Sequence, residues 1–260
     1  MEAPTAPPRR PAGLVDTHVH LEELGPVAHV VEESIAAGVT RLVAMGVDVQ
    51  TSRAAIAAAE EYSEVFAAVG HHPVNSAPPD MQELAELARQ PRVIAVGEVG
   101  LDRAHPDRAP DRLQEEWLEG FLALGIENDL PVSLHTRDSE ADLHRLLSSH
   151  PRASGVMHYF SLDWAWAERF LRLGFHLSFS GLVTRPSRQA LREVVRRCPA
   201  DRLLLESDAP YGTPHGHRAP NRPAWLAETA AVVAGLREIS LEELSALEFE
   251  NARRLFRRMH

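Results

Sequence analysis

From Gly13 onward one pattern recurs along the chain: a short apolar run stops abruptly in polar residues, and a helix-periodic stretch follows. The runs are GLVDTHVH from Gly13, VTRLVAMGVD from Val39, EVFAAVGHHP from Glu64, RVIAVGEVGLD from Arg92, LPVSLHTRD from Leu130, SGVMHYFS from Ser154, FHLSFSG from Phe175 and RLLLESDAP from Arg202. These are eight candidate strands. The segments between them, such as Met81 to Gln90 and Arg112 to Asp129, carry apolar residues at the three- and four-residue steps of amphipathic helices. Strands that alternate with helices pair in parallel, and near-continuous apolar runs such as VIAV suit a sheet covered on both faces. Eight such units are the number that closes a TIM-like (β/α)8 barrel. The alternative, an open doubly wound sheet, needs fewer strands and usually a glycine-rich turn after the first, which VDTHVH is not. No composition break marks a linker. The expected organisation is a disordered Pro-rich arm over residues 1–12 and a single barrel domain over residues 13–260.

Composition narrows the function classes. With 44% hydrophobic and 25% charged residues the bulk of the chain is expected to fold. The net charge of -10 argues against nonspecific attraction of nucleic acid by the whole surface, leaving a local basic patch open. All 27 basic residues are arginine. That removes lysine Schiff bases, Walker A loops and the carboxylated lysine that bridges metals in some hydrolases. Cys198 is the only cysteine, so no intrachain disulfide, cysteine zinc cluster or CxxC pair can form, and a cytoplasmic location is expected. No apolar run approaches the roughly 18 residues of a membrane span, and the first residues lack the apolar stretch of a signal peptide. Neither a membrane nor an obligate protein partner is implied.

In such barrels the chemistry sits at the C-terminal ends of the strands. His18 and His20 close the first run, His71 and His72 the third, Glu98 the fourth, His135 the fifth, His158 the sixth, and Glu206 with Asp208 the last. Imidazole and carboxylate donors of this kind hold divalent ions, and there are more of them than one ion needs. In HVH the imidazoles are one residue apart, so in an extended segment they point the same way. Asp16 is expected to hold a donor or nearby backbone by hydrogen bonding. Glu98 ends an apolar strand, where a bare carboxylate is costly to bury, so a cation is expected beside it: a metal, or an arginine such as Arg103. Asp208 can ligate a metal, orient water and take its proton. Arg103, Arg108, Arg137, Arg185, Arg188, Arg218 and Arg222 follow strands and could form a phosphate-binding rim. His29, His105, His144, His150, His176 and His260 read as surface or helix residues, and His215 and His217 as members of a solvent loop.

Taken in order, the motifs resemble those of the TatD family of metal-dependent hydrolases. VDTHVHL is similar to its DxHxHL opening, GHHP to its GxHP segment, GEVGLD to its GE-GLD segment and PVSLHTRDS to its HxRD segment. HYFS, LLLESDAPY and NARRLF complete the series. The resemblance runs from Gly13 to about Arg257. It implies a TIM-like barrel and a binuclear site, with one metal on His18, His20, Glu98 and Asp208 and the second on Glu98, His135 and His158. It also implies hydrolase activity, in several members on DNA phosphodiesters. His72 matches the GxHP histidine and Arg137 the HxRD arginine. Departures from the family lie outside the ligand set: Tyr159 stands for the usual cysteine, Ser207 for threonine, Asn221-Arg222-Pro223 for Asn-Glu-Pro, and the loop from Arg103 to Asp111 lacks the usual aromatics.

The leading expectation is a phosphodiesterase or deoxyribonuclease acting on nucleic-acid ends or small phosphate esters. It would use two divalent ions per chain, Mg²⁺, Mn²⁺ or Zn²⁺. Asp208, Glu98 and Glu206 are the expected catalytic acids, and His72, Arg137 and Arg222 the expected substrate contacts. The alternative on the same metal site is an amide or ester hydrolase, such as an aminoacyl deacylase or cyclic amidase. A noncatalytic binding protein would be signalled by a missing ligand, and none is missing.

Overall fold

The structure is a computed structural model that describes residues 13–259. The arm expected over residues 1–12 lies outside the described residues. Eight parallel strands follow one another around a single sheet in chain order. They are β1 (Leu14–Val19), β2 (Val39–Ala44), β3 (Val65–Val69), β4 (Val93–Asp102), β5 (Val132–Arg137), β6 (Gly155–Met157), β7 (His176–Phe179) and β8 (Leu203–Leu205). Each falls within one of the apolar runs read from the sequence. The helices between them are α1 (Val27–Ala36), α2 (Val49–Glu61), α3 (Met81–Leu87), α4 (Asp111–Asn128), α5 (Glu140–Ser149), α6 (Trp164–Arg172) and α7 (Gln189–Arg197), with α8 (Leu226–Arg237) and α9 (Leu241–Leu255) after β8. This is a nearly closed (β/α)8 barrel.

Local sequence sets the helix starts. The Asp48 carboxylate accepts from Thr51 N at the start of α2, and Ser240 with Glu243 forms a reciprocal cap on α9. The strands are buried because the helices cover them: every residue of β4 is inaccessible, and burying a side chain such as Phe66 or Phe121 contributes about 1.5–3 kcal/mol. A separate cluster joins Val43, Met45, Phe66 and Ile94 to Leu255, Phe256 and Met259 in and just after α9. Asn251 of α9 donates to the Leu203 carbonyl, and Glu248 accepts from Val15 N, both at strand starts. Thus α9 seals the N-terminal end of the barrel, and the C-terminal end stays open.

Between β8 and β1 the closure is made by other bonds. Thr17 Oγ1 donates to the Leu205 carbonyl (2.8 Å), Asp208 N to the His18 carbonyl (2.9 Å), and His20 N to the Ala209 carbonyl (2.9 Å). Asp16 Oδ1 accepts from Ser207 N at 2.8 Å across the same gap. Asp16 therefore holds backbone at this seam, and burial pushes its carboxyl up to about 7. Among the described residues no helix is long and apolar enough to cross a membrane.

Candidate active site

Glu98 is the centre of the open end. Its Oε1 lies 2.9 Å from His135 Nδ1, 3.0 Å from His158 Nε2 and 3.1 Å from His72 Nε2. Its other oxygen, Oε2, faces His18 Nε2 at 3.3 Å and His20 Nε2 at 3.6 Å. Asp208 Oδ1 reaches the same two imidazoles at 3.8 and 3.6 Å. β1, β4 and β5 thus deliver donors from their C-terminal ends, and the residues just past β3, β6 and β8 deliver the rest. Asp208 (φ 55°) and Tyr159 (φ 47°) adopt the left-handed backbone region just after β8 and β6. Non-glycine residues hold that conformation where the surrounding fold over-determines it, often at functional sites.

Behind the donors stands a second tier. His18 Nδ1 is 3.2 Å from Ser133 Oγ, and His158 Nδ1 is 3.3 Å from Glu206 Oε1. His135 Nε2 is 3.1 Å from Asp102 Oδ2. Glu206 is grouped by sequence with the catalytic acids; it is fully buried, accepts from Tyr159 N at 2.6 Å, and stands behind His158 and Tyr159 without lining the cavity itself. Asp102 and Ser133 were not among the residues expected from sequence. Their signal is positional: each is an even number of residues from a donor on its own strand, Glu98 or His135, and so shares that donor's face.

Charge explains the cluster's cohesion. Burial alone would push Glu98 up, but the surrounding imidazoles, His72 and His158 foremost, hold it well below the usual carboxylate range. Burial would likewise push His158 down, yet Glu98 and Glu206 hold it well above the usual value. His20 is raised to about 9: burial opposes its charge, and the neighbouring carboxylates of Asp208 and Glu98 outweigh it. His18 moves down, through burial and the neighbouring His158. Its Nε2 is buried with no hydrogen-bond partner among the described residues, although it points at two acids. An imidazole nitrogen in that position fits a divalent ion, as does the whole donor set of nitrogens and carboxylate oxygens. Four groups among the described residues have ligand atoms within 4.8 Å of one another: His18 with His20 and Glu98, His18 with His158 and Asp208, His72 with Glu98 and His135, and, with two exposed acids, His20 with Glu22 and Glu23. His72, expected to meet substrate, is thereby also within the donor cluster.

A cavity of about 510 Å³ opens over these residues, lined by His20, Glu98, His135, His158 and Asp208 together with Asn75, Arg137 and Tyr211. Arg137 is the one arginine of the expected rim that lines it. Its guanidinium has no acid partner among the described residues. Arg222 instead bonds Glu33 at 3.0 Å and stands outside the lining, and Arg185 reaches the Thr213 carbonyl. Arg103 is not the cation beside Glu98: it is drawn outward by Glu115 (2.9 Å) and Asp142 (3.2 Å) on α4 and α5. Two histidines read as surface residues also differ. His105 lines the cavity, and His176 is buried in β7.

Comparisons with known proteins agree with this geometry. Residues 15–257 match the family described as TatD related DNase. The chain is 37% identical to the uncharacterized metal-dependent hydrolase YabD of Bacillus subtilis, over 94% of this chain and 99% of that protein. It is 36% identical to the uncharacterized metal-dependent hydrolase TatD of Mycobacterium tuberculosis, over 94% of this chain and 97% of that one. The crystal structure of the TatD homologue YjjV from Escherichia coli superposes with a TM-score of 0.88 at 31% identity, covering 95% of this chain and 99% of YjjV. With the family matched over nearly its whole length and the barrel and His/Glu/Asp cluster in place, this chain belongs to the TatD family of metal-dependent hydrolases.

Proposed function

We propose that this hydrolase works with two divalent ions and cleaves phosphodiester bonds at nucleic-acid ends. The observation that carries the reading is Glu98, whose two oxygens face different imidazoles, His135, His158 and His72 on one side and His18 and His20 on the other. A carboxylate so placed can bridge two ions. His18, His20 and Asp208 would complete one coordination shell, and His135 and His158 the other. Bound there, the ions would polarise a phosphoryl oxygen, stabilise the leaving oxygen and make water acidic enough to attack near neutral pH.

The chain's own groups do the remainder. Asp208 lines the cavity and accepts the proton of the attacking water at its carboxylate. Arg137 presents a guanidinium fork to a non-bridging phosphate oxygen, since no acid occupies it. Glu206 keeps His158 oriented from behind. The cavity of about 510 Å³ suits one nucleotide and its phosphate better than a duplex lying across the surface. The net charge of -10 supports the same choice, because long-range capture of a polyanion is opposed. The family's DNase description adds support for nucleic acid as the substrate class.

The test is a panel of single-stranded DNA, RNA, an aminoacyl ester and a simple phosphodiester, each with Mg²⁺, Mn²⁺ and Zn²⁺, alongside metal analysis of the protein. Expected are two ions per chain and divalent-dependent release of short products from strand ends. Faster turnover of the aminoacyl ester than of any oligonucleotide would replace the phosphodiesterase reading. Saturation at one ion would remove the binuclear one.

A further inference from the structure

We propose that Asp102 is the positioning residue that makes His135 a metal donor, by accepting a hydrogen bond from Nε2–H and so leaving the lone pair on Nδ1, the atom that faces Glu98. This rests on the two-ion reading above.

Asp102 ends β4, four residues beyond Glu98, and is almost wholly buried although it lines the cavity. Its two oxygens have separate tasks. Oδ1 accepts from Ala104 N and His105 N, both at 2.8 Å, which pins it into the turn that follows the strand. Oδ2 is left for His135 Nε2 at 3.1 Å. The backbone of Asp102 is clamped as well: its N–H donates to Gln114 Oε1 at 2.9 Å, and its carbonyl accepts from Gln114 Nε2 at 3.0 Å. The carboxylate therefore has little freedom to turn away from the ring.

A neutral imidazole has one N–H and one lone pair, and an ionised carboxylate only accepts. Asp102 facing Nε2 thus fixes the proton there, and Nδ1 faces Glu98 with its lone pair. In His158 the atoms are exchanged: Nε2 faces Glu98, and Nδ1 lies 3.3 Å from Glu206 Oε1 without a hydrogen bond of its own among the described residues. Of the three imidazoles on this oxygen of Glu98, His135 and His158 thus have a carboxylate behind them, which increases basicity as a donor, whereas His72 Nδ1 accepts from Val74 N. His18 on the other side is backed by a hydroxyl, Ser133.

Asp102→Asn separates this role from a merely structural one. The turn still needs an oxygen for Ala104 N and His105 N, so the asparagine oxygen stays there and its NH2 faces His135 Nε2. The ring must then accept at Nε2 and carry its proton on Nδ1, where the ion would bind. A residue serving only the turn would tolerate this near-isosteric change. Zn²⁺ titration against a competing chelator should show two ions on the wild type, and on Asp102→Asn one ion weakened by about 10- to 100-fold with the other unchanged. The Co²⁺-substituted variant should give the visible spectrum of His135→Ala. Both ions bound at wild-type affinity by Asp102→Asn would overturn the inference and leave the two-ion reading standing. A wild type that saturates at one ion, indifferent to His135→Ala, would overturn both. Nitrogen NMR of the zinc-loaded wild type needs no variant: a proton on His135 Nε2 is expected, and one on Nδ1 would overturn the assignment.

Discussion

His158 just past β6 and His176 at the start of β7 are both buried, yet they are pushed in opposite directions. Burial disfavours charge on each. At the open end Glu98 and Glu206 reverse that for His158, whereas at the sealed end burial and the nearby Arg202 push His176 down to about 4. The carboxylates show the same division. Glu98, among imidazoles, is held well below its usual range, and Glu248, on α9 beneath β1, is pushed well above it by burial. At the sealed end burial favours the neutral forms of His176 and Glu248, and Glu248 also accepts from Val15 N. The open end buries Glu98, His158 and His20 as opposed charges, and the fields that hold those charges are the ones a divalent cation would use. Stability and chemistry should therefore separate along the barrel axis.

The largest effect expected at the open end comes from Asp208→Asn, which keeps the shape but removes the charge and the proton acceptor. Hydrolysis should fall by roughly two orders of magnitude or more, with the melting temperature shifted by only a few degrees. Full turnover with normal metal content would break the division on this side.

At the sealed end Glu248→Ala leaves Val15 N–H buried without its acceptor and should cost about 1–3 kcal/mol of stability, measured by urea unfolding, with turnover per folded molecule unchanged. Glu248→Gln copies the protonated acid and sharpens the point. Because the folded carboxyl titrates above the usual 4.5, the wild type loses stability as pH rises beyond that value, while its unfolded chain ionises and the folded one does not. The Gln variant should thus gain on the wild type as pH rises from about 4.5. A loss of turnover like that of Asp208→Asn would break the division here.

The smallest of these effects concerns His176. Its folded value of about 4 lies below the usual 6.5, so the unfolded chain binds the proton first as pH falls. Stability is complete above about 6.5 and drains away toward 4, with about 2 kcal/mol lost by pH 5. His176→Gln should remove that part of the slope between pH 7 and 5. An unchanged slope would assign the acid sensitivity to the open end alone.

What could be read from sequence follows the same axis. His18, His20, Glu98, His135, His158 and Asp208 were legible because each ends an apolar run, and a parallel barrel gathers such ends on one face. Asp102 lies inside the run RVIAVGEVGLD, but with Glu98 read as the donor at the strand's end nothing singled it out; β4 in fact continues four residues beyond Glu98. Arg222 and Arg103 misled for another reason. Their partners Glu33, Glu115 and Asp142 lie on other elements, 189 residues away in the first case, so their exposure to substrate depended on tertiary ion pairs that no local pattern encodes. His176 carries no local mark of burial either. Its flanks resemble those of the donor histidines, and only its place at a strand start rather than a strand end sets it apart.

The seam between β8 and β1 bears on the order in which the molecule comes into being. Asp16 and Ser207, bonded across it, are 191 residues apart in the chain, and His18, His20 and Asp208 flank that join. During synthesis Glu98, His135 and His158 emerge well before Asp208, and domains form as their segments become available. A nascent chain halted before Leu203 lacks Asp208 and the bonds that join β8 to β1. The last strand to be made therefore closes the wall and brings Asp208 beside His18 and His20 in one event.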